Sequence, residues 1–385
     1  MRCLFEGGRR SAEDLFMNDS ELQTEHKREN TPWLSVVCPI YNAEAYIAQC
    51  IRSVLRQSLR DFELILVNDG STDGTERICT RFAARDPRIR YFRKENGGCY
   101  QSRLFGAARA RGAYLLFCDA DDYYLTRRAF QKLFRYVQKY PCEAMQFGAV
   151  HRYRHLSWPV RAVSRPLQIP GELFRQEVYP KLVYTTWRDT RLQNYVWNKL
   201  YKRDLLRYLP DPDSAEYVFQ CEDVLVNLQL LEHCRSFLFV PDAIYVYRAL
   251  IGGSQRFSPR KMKDMTVVWE RQLTIEARRP CDQSGRHQER IYDTIADRVF
   301  AYVREAVCAV EGEALRALVA ESLALPAMQK ARAYFAAHPK ETWEPGRLLR
   351  ENDPEAYIAA AMEKNRSAKH KRTVKSVLLR ILRSA

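Results

Sequence analysis

Three aspartates within residues 119–122 are the strongest candidates for chemistry in this sequence. They come directly after an apolar run that ends at Cys118, and on a tight turn their charges repel one another. A divalent cation would remove that repulsion, and carboxylate oxygens are the ligands that Mg²⁺ and Mn²⁺ prefer. Such a cation could also hold a diphosphate and neutralise its charge as it leaves. A solvated acidic turn or a helix cap is the alternative that these residues leave open.

A second acidic position, Asp69, also follows an apolar run, residues 64–67. A carboxylate at the end of a strand can accept a hydrogen bond from a nucleobase imide or a ribose hydroxyl. The residues that follow, 70–73, are typical of a turn and a helix N-cap. We therefore interpret Asp73 as a cap and Asp69 as the candidate ligand-binding residue.

A third acidic pair, Glu222 and Asp223, opens an apolar helical stripe over residues 224–231. One interpretation is that both charges are stabilised by the dipole of the helix whose first turn they occupy. The other is that one of them is a general base aimed at an acceptor hydroxyl. The pair alone does not decide between the two.

The elements that must position these acids alternate between short apolar strands and amphipathic helices, at about 30 residues per unit, which predicts a mostly parallel α/β sheet. The expected strands are 34–38, 62–67, 89–92, 114–118 and 144–150. Ligands of such sheets bind beyond the carboxyl ends of the strands. Asp69 and the turn 119–122 both fall at those ends.

The composition excludes several other classes of protein. The 385 residues include 62 Lys and Arg against 47 Asp and Glu, and the hydrophobic fraction of 46% is ordinary for a globular chain. No apolar run approaches the ~20 residues that a membrane-spanning helix needs. Eleven cysteines, none in a C-x-x-C pair, and an N-terminus without an apolar core predict buried free thiols and a cytoplasmic location.

Taken together, several blocks of the sequence resemble the family 2 glycosyltransferases. The blocks that carry the resemblance, in the family's order and spacing, are 35–44, 62–75, 94–98, 112–114 and 119–122. Three further blocks, 196–202, 222–223 and 245–248, resemble the family's bacterial cell-surface polysaccharide branch. The resemblance covers about residues 33–255. It implies a GT-A fold, which is a mostly parallel central sheet with helices on both faces, and transfer of a sugar with inversion.

The resemblance also implies roles for individual residues on the donor side. Pro39 and Tyr41 would line the nucleoside pocket, and Asp69 would contact the base. Asp119 would contact the ribose or the donor sugar, and Asp121 would hold Mn²⁺ or Mg²⁺ on the diphosphate.

On the acceptor side, the resemblance implies that Asp223 is the base that deprotonates the acceptor, with Glu222 beside it in the substrate site. Trp197 and Lys199 are further substrate-binding candidates, since a Trp ring can stack on a pyranose, although packing and surface charge would equally account for them. Arg103 is retained from the family's pattern and is also expected to bind substrate. The family has Asn at the next position, where this chain has Leu104. This difference leaves the identity of the donor sugar open.

Four segments are expected along the chain. A loose extension covers 1–30, the catalytic domain 31–255, a helical accessory region 256–363, and a basic amphipathic helix 364–385. The last segment has eight Lys or Arg and no acid. It either attaches the enzyme to an anionic membrane surface or packs its apolar stripe on the body. Nucleic-acid binding is not expected, because no recognition motif or basic-aromatic patch occurs.

The sequence therefore predicts a metal-dependent inverting glycosyltransferase, peripheral on the inner face of the plasma membrane. It would take a nucleotide-sugar donor, with UDP favoured, and a glycan or lipid-linked acceptor in cell-surface polysaccharide synthesis. A non-catalytic nucleotide-sugar-binding partner is the first alternative. A nucleotidyltransferase is the second, and it normally needs a Gly-rich phosphate loop that residues 39–42 do not form.

Overall fold

The computed structural model describes residues 31–153, 156–179, 192–215, 218, 221–248, 257–278, 286–339 and 343–367. The expected extension 1–30 and residues 368–385 of the expected basic helix lie outside the described residues. The predictions made for those two segments stay predictions.

The first part of the chain alternates strands and helices as the sequence predicts. The elements are β1 (Leu34–Ile40), α1 (Ile47–Leu55), β2 (Phe62–Asp69), α2 (Thr75–Ala83), β3 (Ile89–Lys94), α3 (Gly98–Ala107) and β4 (Tyr114–Phe117). All seven residues of β1 and all eight of β2 are buried, as in strands covered on both faces. In α1 the apolar positions that recur at helical spacing, among them Ile47 and Ile51, are the buried ones.

The middle of the chain adds six strands and two helices. They are β5 (Tyr123–Tyr124), α4 (Ala129–Lys139), β6 (Ala144–Tyr153), β7 (Leu156–Val160), β8 (Leu167–Pro170), β9 (Lys199–Lys202), α5 (Glu222–Leu231) and β10 (Ser236–Arg248). A short helical segment, Gly171–Leu173 continued by the π-helical turn Phe174–Val178, and the 3₁₀ helix Arg203–Tyr208 complete this part.

Within the described residues the strands form one sheet in the order β3-β2-β1-β4-β9-β6-β10-β5, with β7 on β6 and β8 on β10. The sheet is parallel from β3 to β4, as predicted. Beyond β4 it is mixed, because β9 runs antiparallel to both β4 and β6. The expectation of a mostly parallel sheet therefore holds for its first four strands and not for the rest.

The sheet separates two hydrophobic cores, and successive residues of each strand face opposite ones. Val36 packs with α1 and α4 in one core. Its neighbour Val37 packs with α3 and α5 in the other. This second core continues into the C-terminal helices, where Ile295 and Met328 belong to it. The start of α5, which carries Glu222 and Asp223, is thus fixed between the sheet and the C-terminal helices.

Beyond β10 the described residues are helical, which confirms the expected C-terminal helical extension. The helices are α6 (Lys261–Arg278), α7 (Arg286–Ala306), α8 (Gly312–Leu323), α9 (Pro326–Ala337), α10 (Glu344–Glu351) and α11 (354–367). None of the described helices is long and apolar enough to cross a membrane. All described cysteines are free thiols; six are buried as expected, whereas Cys99 and Cys221 are half-buried and Cys308 is exposed.

Candidate active site

The acidic turn 119–122 lies at the carboxyl end of β4 and is held in place by β10. The amide of Asp122 donates to the carbonyl oxygen of Asp119 at 3.1 Å. The Tyr245 hydroxyl accepts from the Asp119 amide at 2.9 Å, and Asp122 Oδ1 accepts from the Arg248 amide at 2.7 Å. A strand from more than a hundred residues away therefore fixes the conformation of the turn.

The electrostatics of this turn fit a bound cation. Burial, reinforced by Asp119, raises the pKa of Asp121 to about 6. Burial and the two neighbouring carboxylates also raise the pKa of Asp122, whose buried Oδ2 has no hydrogen-bond partner among the described residues. No cluster of three or more His, Cys, Asp or Glu side chains in the described part of the chain could hold a metal ion by itself. A bound substrate or water could supply further oxygens to a cation on Asp121.

Arg103, on α3, connects the acidic turn to the start of α5. Its Nη2 lies 2.9 Å from Asp119 Oδ1, and its Nη1 lies 2.6 Å from Asp223 Oδ1 and 3.2 Å from Glu222 Oε1. The Arg103 side chain is 3% exposed, whereas those of the three acids are 19–24% exposed. Arg103 is thus a buried cation beneath three partly open carboxylates. This burial does not fit the expected direct contact between Arg103 and substrate.

Burial shifts the pKa values of the Glu222 and Asp223 carboxylates upward. Burial raises the pKa of Glu222 to about 7, against the opposing effect of Arg103. Burial also raises the pKa of Asp223, again opposed by Arg103. Asp223 Oδ2 accepts from the Val196 amide at 3.3 Å, which fixes its orientation. A partly exposed, oriented carboxylate with a raised pKa is suited to accept a proton.

Lys199 is fully buried and holds the segment that precedes it. Its Nζ donates to the carbonyl oxygens of Gln193 and Tyr195 and to Oδ1 of Asn198. Burial lowers the pKa of Lys199 to about 7, although Asp223 opposes the shift. Lys199 is therefore neither a surface charge nor open to substrate, in contrast to both sequence interpretations. It fixes the segment 193–198, which carries the Val196 amide that contacts Asp223.

Trp197 is buried at the centre of a group of stacked aromatic rings. It is 2% exposed. Tyr195 stacks on it at 4.7 Å between centroids and Tyr245 at 5.0 Å. The expected stacking of a pyranose on Trp197 does not fit this burial. Its partly exposed neighbours Tyr195 and Tyr247 are the aromatic side chains that a ligand could reach.

On the nucleoside side, Asp69 is 3% exposed and its oxygens already have partners. Its Oδ1 lies 2.5 Å from Lys94 Nζ and accepts from the Gly97 amide, and its Oδ2 accepts from the Gly98 amide at 2.8 Å. Asp69 therefore holds the start of α3, and the expected contact with a base would require these bonds to be exchanged. Tyr41, by contrast, is 54% exposed just after β1, where Pro39 is buried.

Sequence reasoning missed two polar residues that organise this site. Tyr245 orients the acidic turn through its hydroxyl. Asn227, one helical turn after Asp223, donates to the carbonyl oxygens of Asp223 and Asn194. The block 245–248 gave a signal for Tyr245, whereas Asn227 sits among the apolar residues of α5 and its position gave no signal.

Comparisons with known proteins identify relatives of this chain. The family profile described as "Glycosyl transferase family 2" matches residues 35–209. The glycosyltransferase GlyG of Streptococcus pneumoniae is 38% identical over 253 residues, which are 63% of this chain and 79% of GlyG. The uncharacterized glycosyltransferase EpsJ of Bacillus subtilis is 33% identical over 222 residues, which are 56% of this chain and 61% of EpsJ. This match thus spans less than two thirds of EpsJ.

A solved structure supports the fold assignment. The crystal structure of residues 1–349 of S. aureus TarS in complex with UDP-GlcNAc matches with a TM-score of 0.61 and 18% identity, over 87% of this chain and 92% of that one. At this identity the likeness concerns the fold. It confirms the predicted α/β sheet with a C-terminal helical region.

Proposed function

Since this chain belongs to glycosyltransferase family 2, we propose that it transfers a sugar from a nucleotide-sugar donor to an acceptor hydroxyl. The observation that carries the proposal is the contact of one buried cation, Arg103, with Asp119 on one side and with Glu222 and Asp223 on the other. A donor-binding turn and a base must lie within one substrate's length of each other for group transfer. Their shared contact with Arg103 meets that requirement.

Asp223 is the proposed general base. Its carboxylate accepts the proton of the acceptor hydroxyl as the oxygen forms a bond to the anomeric carbon. The bond from that carbon to the nucleoside diphosphate breaks in the same displacement, so the configuration inverts. Arg103 and the Val196 amide hold the carboxylate in one orientation. Lys199 in turn holds the segment that carries Val196, so it positions the base without touching substrate.

The proposed donor is a nucleotide sugar, with UDP favoured. The fold likeness to TarS, whose structure contains UDP-GlcNAc, supports this choice. Tyr41 is exposed where the resemblance expects the nucleoside. Asp121, with Asp119 beside it, would hold Mn²⁺ or Mg²⁺, and the cation would supply positive charge against the leaving diphosphate.

The proposed acceptor is a glycan or a lipid-linked glycan of a cell-surface polysaccharide, at the inner face of the plasma membrane. The blocks 196–202 and 245–248 support this branch of the family. A basic surface beside α1 and α2 supports contact with anionic lipid. This surface surrounds a cavity of about 360 Å³, and four of the residues that line the cavity are arginines. The lining residues are Ala48, Arg52, Arg77, Ile78, Arg81, Phe82 and Arg85.

Thermal-shift titration with UDP, GDP, dTDP and CMP, each with and without Mn²⁺, tests the donor site. A ligand at about 100 times its Kd stabilises the native state by about 2.7 kcal/mol, which is an observable shift. We expect a metal-dependent shift with UDP that Asp121→Ala loses and Asp353→Ala, in the helical region, retains. A shift with none of the nucleotides would contradict the proposal.

Transfer itself is tested with Asp223→Asn. Removing a general base reduces the rate by about 10²–10⁴-fold, so we expect this loss in donor turnover while the UDP-induced shift is retained. Wild-type protein that binds UDP without any turnover of UDP-sugars would instead support the non-catalytic binding partner. Release of diphosphate from a nucleoside triphosphate would support a nucleotidyltransferase.

A further inference from the structure

An aromatic surface extends outward from the candidate base. Trp197 is its buried centre, and the partly exposed Tyr195 and Tyr247 lie 4.7 and 5.3 Å from it between centroids. His151 follows at 5.1 Å from Tyr247, and Trp158 at 6.1 Å from His151. We call these five residues the aromatic wall. They come from β6, β7, β10 and the segment before β9.

The inner end of the aromatic wall adjoins the catalytic carboxylates. Burial raises the pKa of Tyr195, and the nearby Asp223 adds to the shift. Burial also raises the pKa of Tyr247 to about 12, with a further contribution from Asp122. The carbonyl of Tyr195 is held by Lys199. The wall therefore begins beside both the base and the acidic turn.

The outer end of the wall is open to solvent and apolar. Trp158, on β7, is 44% exposed. Two positions earlier on the same strand, and hence on the same face, Leu156 is 66% exposed. Burial lowers the pKa of His151, which favours the uncharged form of the ring between Trp158 and Tyr247. Flat, uncharged rings thus continue from the reaction centre to the rim.

We propose that the aromatic wall binds consecutive pyranose rings of a glycan acceptor, an inference that rests on the proposed function. The ring that carries the reacting hydroxyl would lie on Tyr195 and Tyr247, and a ring further along the chain would lie on Trp158. Sugars present apolar C–H faces that pack on aromatic rings, and burying both surfaces is favourable. The acceptor is then an oligosaccharide chain, recognised over more than one unit.

The direct test is a glycan array probed with the full-length labelled protein in the presence of UDP. The array carries cello-, chito- and manno-oligosaccharides from mono- to hexasaccharide, because stacking on ring faces tolerates several pyranoses. We expect binding to strengthen with chain length. We expect Trp158→Ala to weaken binding of the longest chains about tenfold, the scale of one lost aromatic contact.

Two matched variants separate stacking from general damage. Trp158→Phe keeps a ring and should restore most of the length dependence. Tyr208→Ala removes a 38% exposed ring that stacks on His233 outside the wall, and should leave the length dependence as in the wild type. Loss of the length dependence in Tyr208→Ala as well would overturn the assignment.

Other outcomes also count against the inference. Equal binding of all chain lengths by the wild type, or binding of no arrayed glycan, would overturn it. If uridine competes with the glycan for the aromatic wall, these rings bind the donor instead of the acceptor, and the inference is overturned as well. If UDP still shifts the melting temperature in those cases, the proposed function survives and the aromatic wall alone is wrong. If UDP gives no shift, the proposed function fails with it.

Discussion

At the scale of single residues, Arg103 determines how the acids of the site are arranged. Three carboxylates from two distant parts of the chain would repel one another, and the guanidinium lies where it contacts all three. Arg suits this position because its planar fork presents several donors in fixed directions. Its Nε is buried and without a hydrogen-bond partner among the described residues, so the binding of the carboxylates rests on the two Nη atoms.

Replacing Arg103 tests this arrangement. Arg103→Met leaves the carboxylates unpaired, and breaking a buried ion pair on one side costs about 3–5 kcal/mol. Arg316, whose side chain is 54% exposed, also contacts two carboxylates. Arg316→Met should cost much less than Arg103→Met, because exposed ion pairs contribute little to stability. Urea unfolding of both variants measures the difference, and equal losses would contradict the role given to Arg103.

The raised pKa of Glu222 predicts that the stability of the protein depends on pH. Its pKa is about 7 in the folded chain against 4.5 for the free side chain, so the folded state binds this proton more tightly. The free energy of unfolding should therefore fall as the pH rises from about 4.5 to about 7, and the contribution of Glu222 should be constant outside that window.

Glu222→Gln should flatten this slope. Urea unfolding across the window, without divalent cations, compares the variant with the wild type. Glu355→Gln is the control, since this exposed residue of the helical region contacts Arg316. A Glu222→Gln slope as steep as that of the wild type would show that another group titrates there.

The same residues show what single positions in a sequence do and do not predict. Asp121 and Asp223 could be selected because acids directly after a strand or at a helix start are locally recognisable. That Asp69 is saturated by Lys94 and two amides, or that Trp197 is buried against Tyr245, depends on packing between segments that are far apart in sequence. Residue type selected the candidate residues, and packing determined which of their atoms are accessible.

At the scale of elements, local periodicity predicted β1 to β4 and their helices, because each has an apolar pattern of its own. β9 has four residues and no such pattern. It lies between β4 and β6 because both offer it antiparallel pairing, a long-range arrangement that the sequence does not signal. This arrangement affects the candidate site, since β9 begins with Lys199, which anchors the segment 193–198 beside Asp223, the proposed base.

Lys199 should accordingly affect transfer more than donor binding. Lys199→Met removes three hydrogen bonds to the segment 193–198, and a small displacement of a catalytic group lowers the rate by about 10–100-fold. We expect this loss in kcat, with the affinity for UDP measured by thermal shift close to that of the wild type. Lys202→Met, on the same strand but with a 42% exposed side chain, is the control. A matching loss of UDP binding would indicate general unfolding of the site.

At the scale of the whole molecule, the proposed donor and acceptor sides have different structural origins. The proposed donor side is built on the parallel strands β1, β2 and β4, and the proposed acceptor side on α5, β9 and β10. The second core extends from the sheet through α5 into the C-terminal helices. These helices therefore support the element that carries the proposed base, which gives the helical extension a role in holding the site together.

The net charge of +15 predicts that the protein binds to anionic membrane surfaces. Arg52, Arg81 and Arg85, at the cavity between α1 and α2, have no carboxylate partner among the described residues, and the surface there is basic. Each Lys or Arg near an anionic leaflet contributes about 1 kcal/mol. We therefore expect the protein to float with vesicles that contain phosphatidylglycerol and not with pure phosphatidylcholine.

Two variants separate the contributions that the basic C-terminal segment and the arginines at the cavity make to vesicle binding. Deleting 368–385 removes the strongest run of positive charge, and replacing Arg52, Arg81 and Arg85 with Gln removes the charge at the cavity. If both surfaces face the same leaflet, each variant should float less than the wild type and the combined variant should not float. Added salt should also reduce the flotation of the wild type, because the attraction to the vesicles is electrostatic. Flotation that persists in the combined variant, or that is equal on neutral vesicles, would contradict attachment through positive charge.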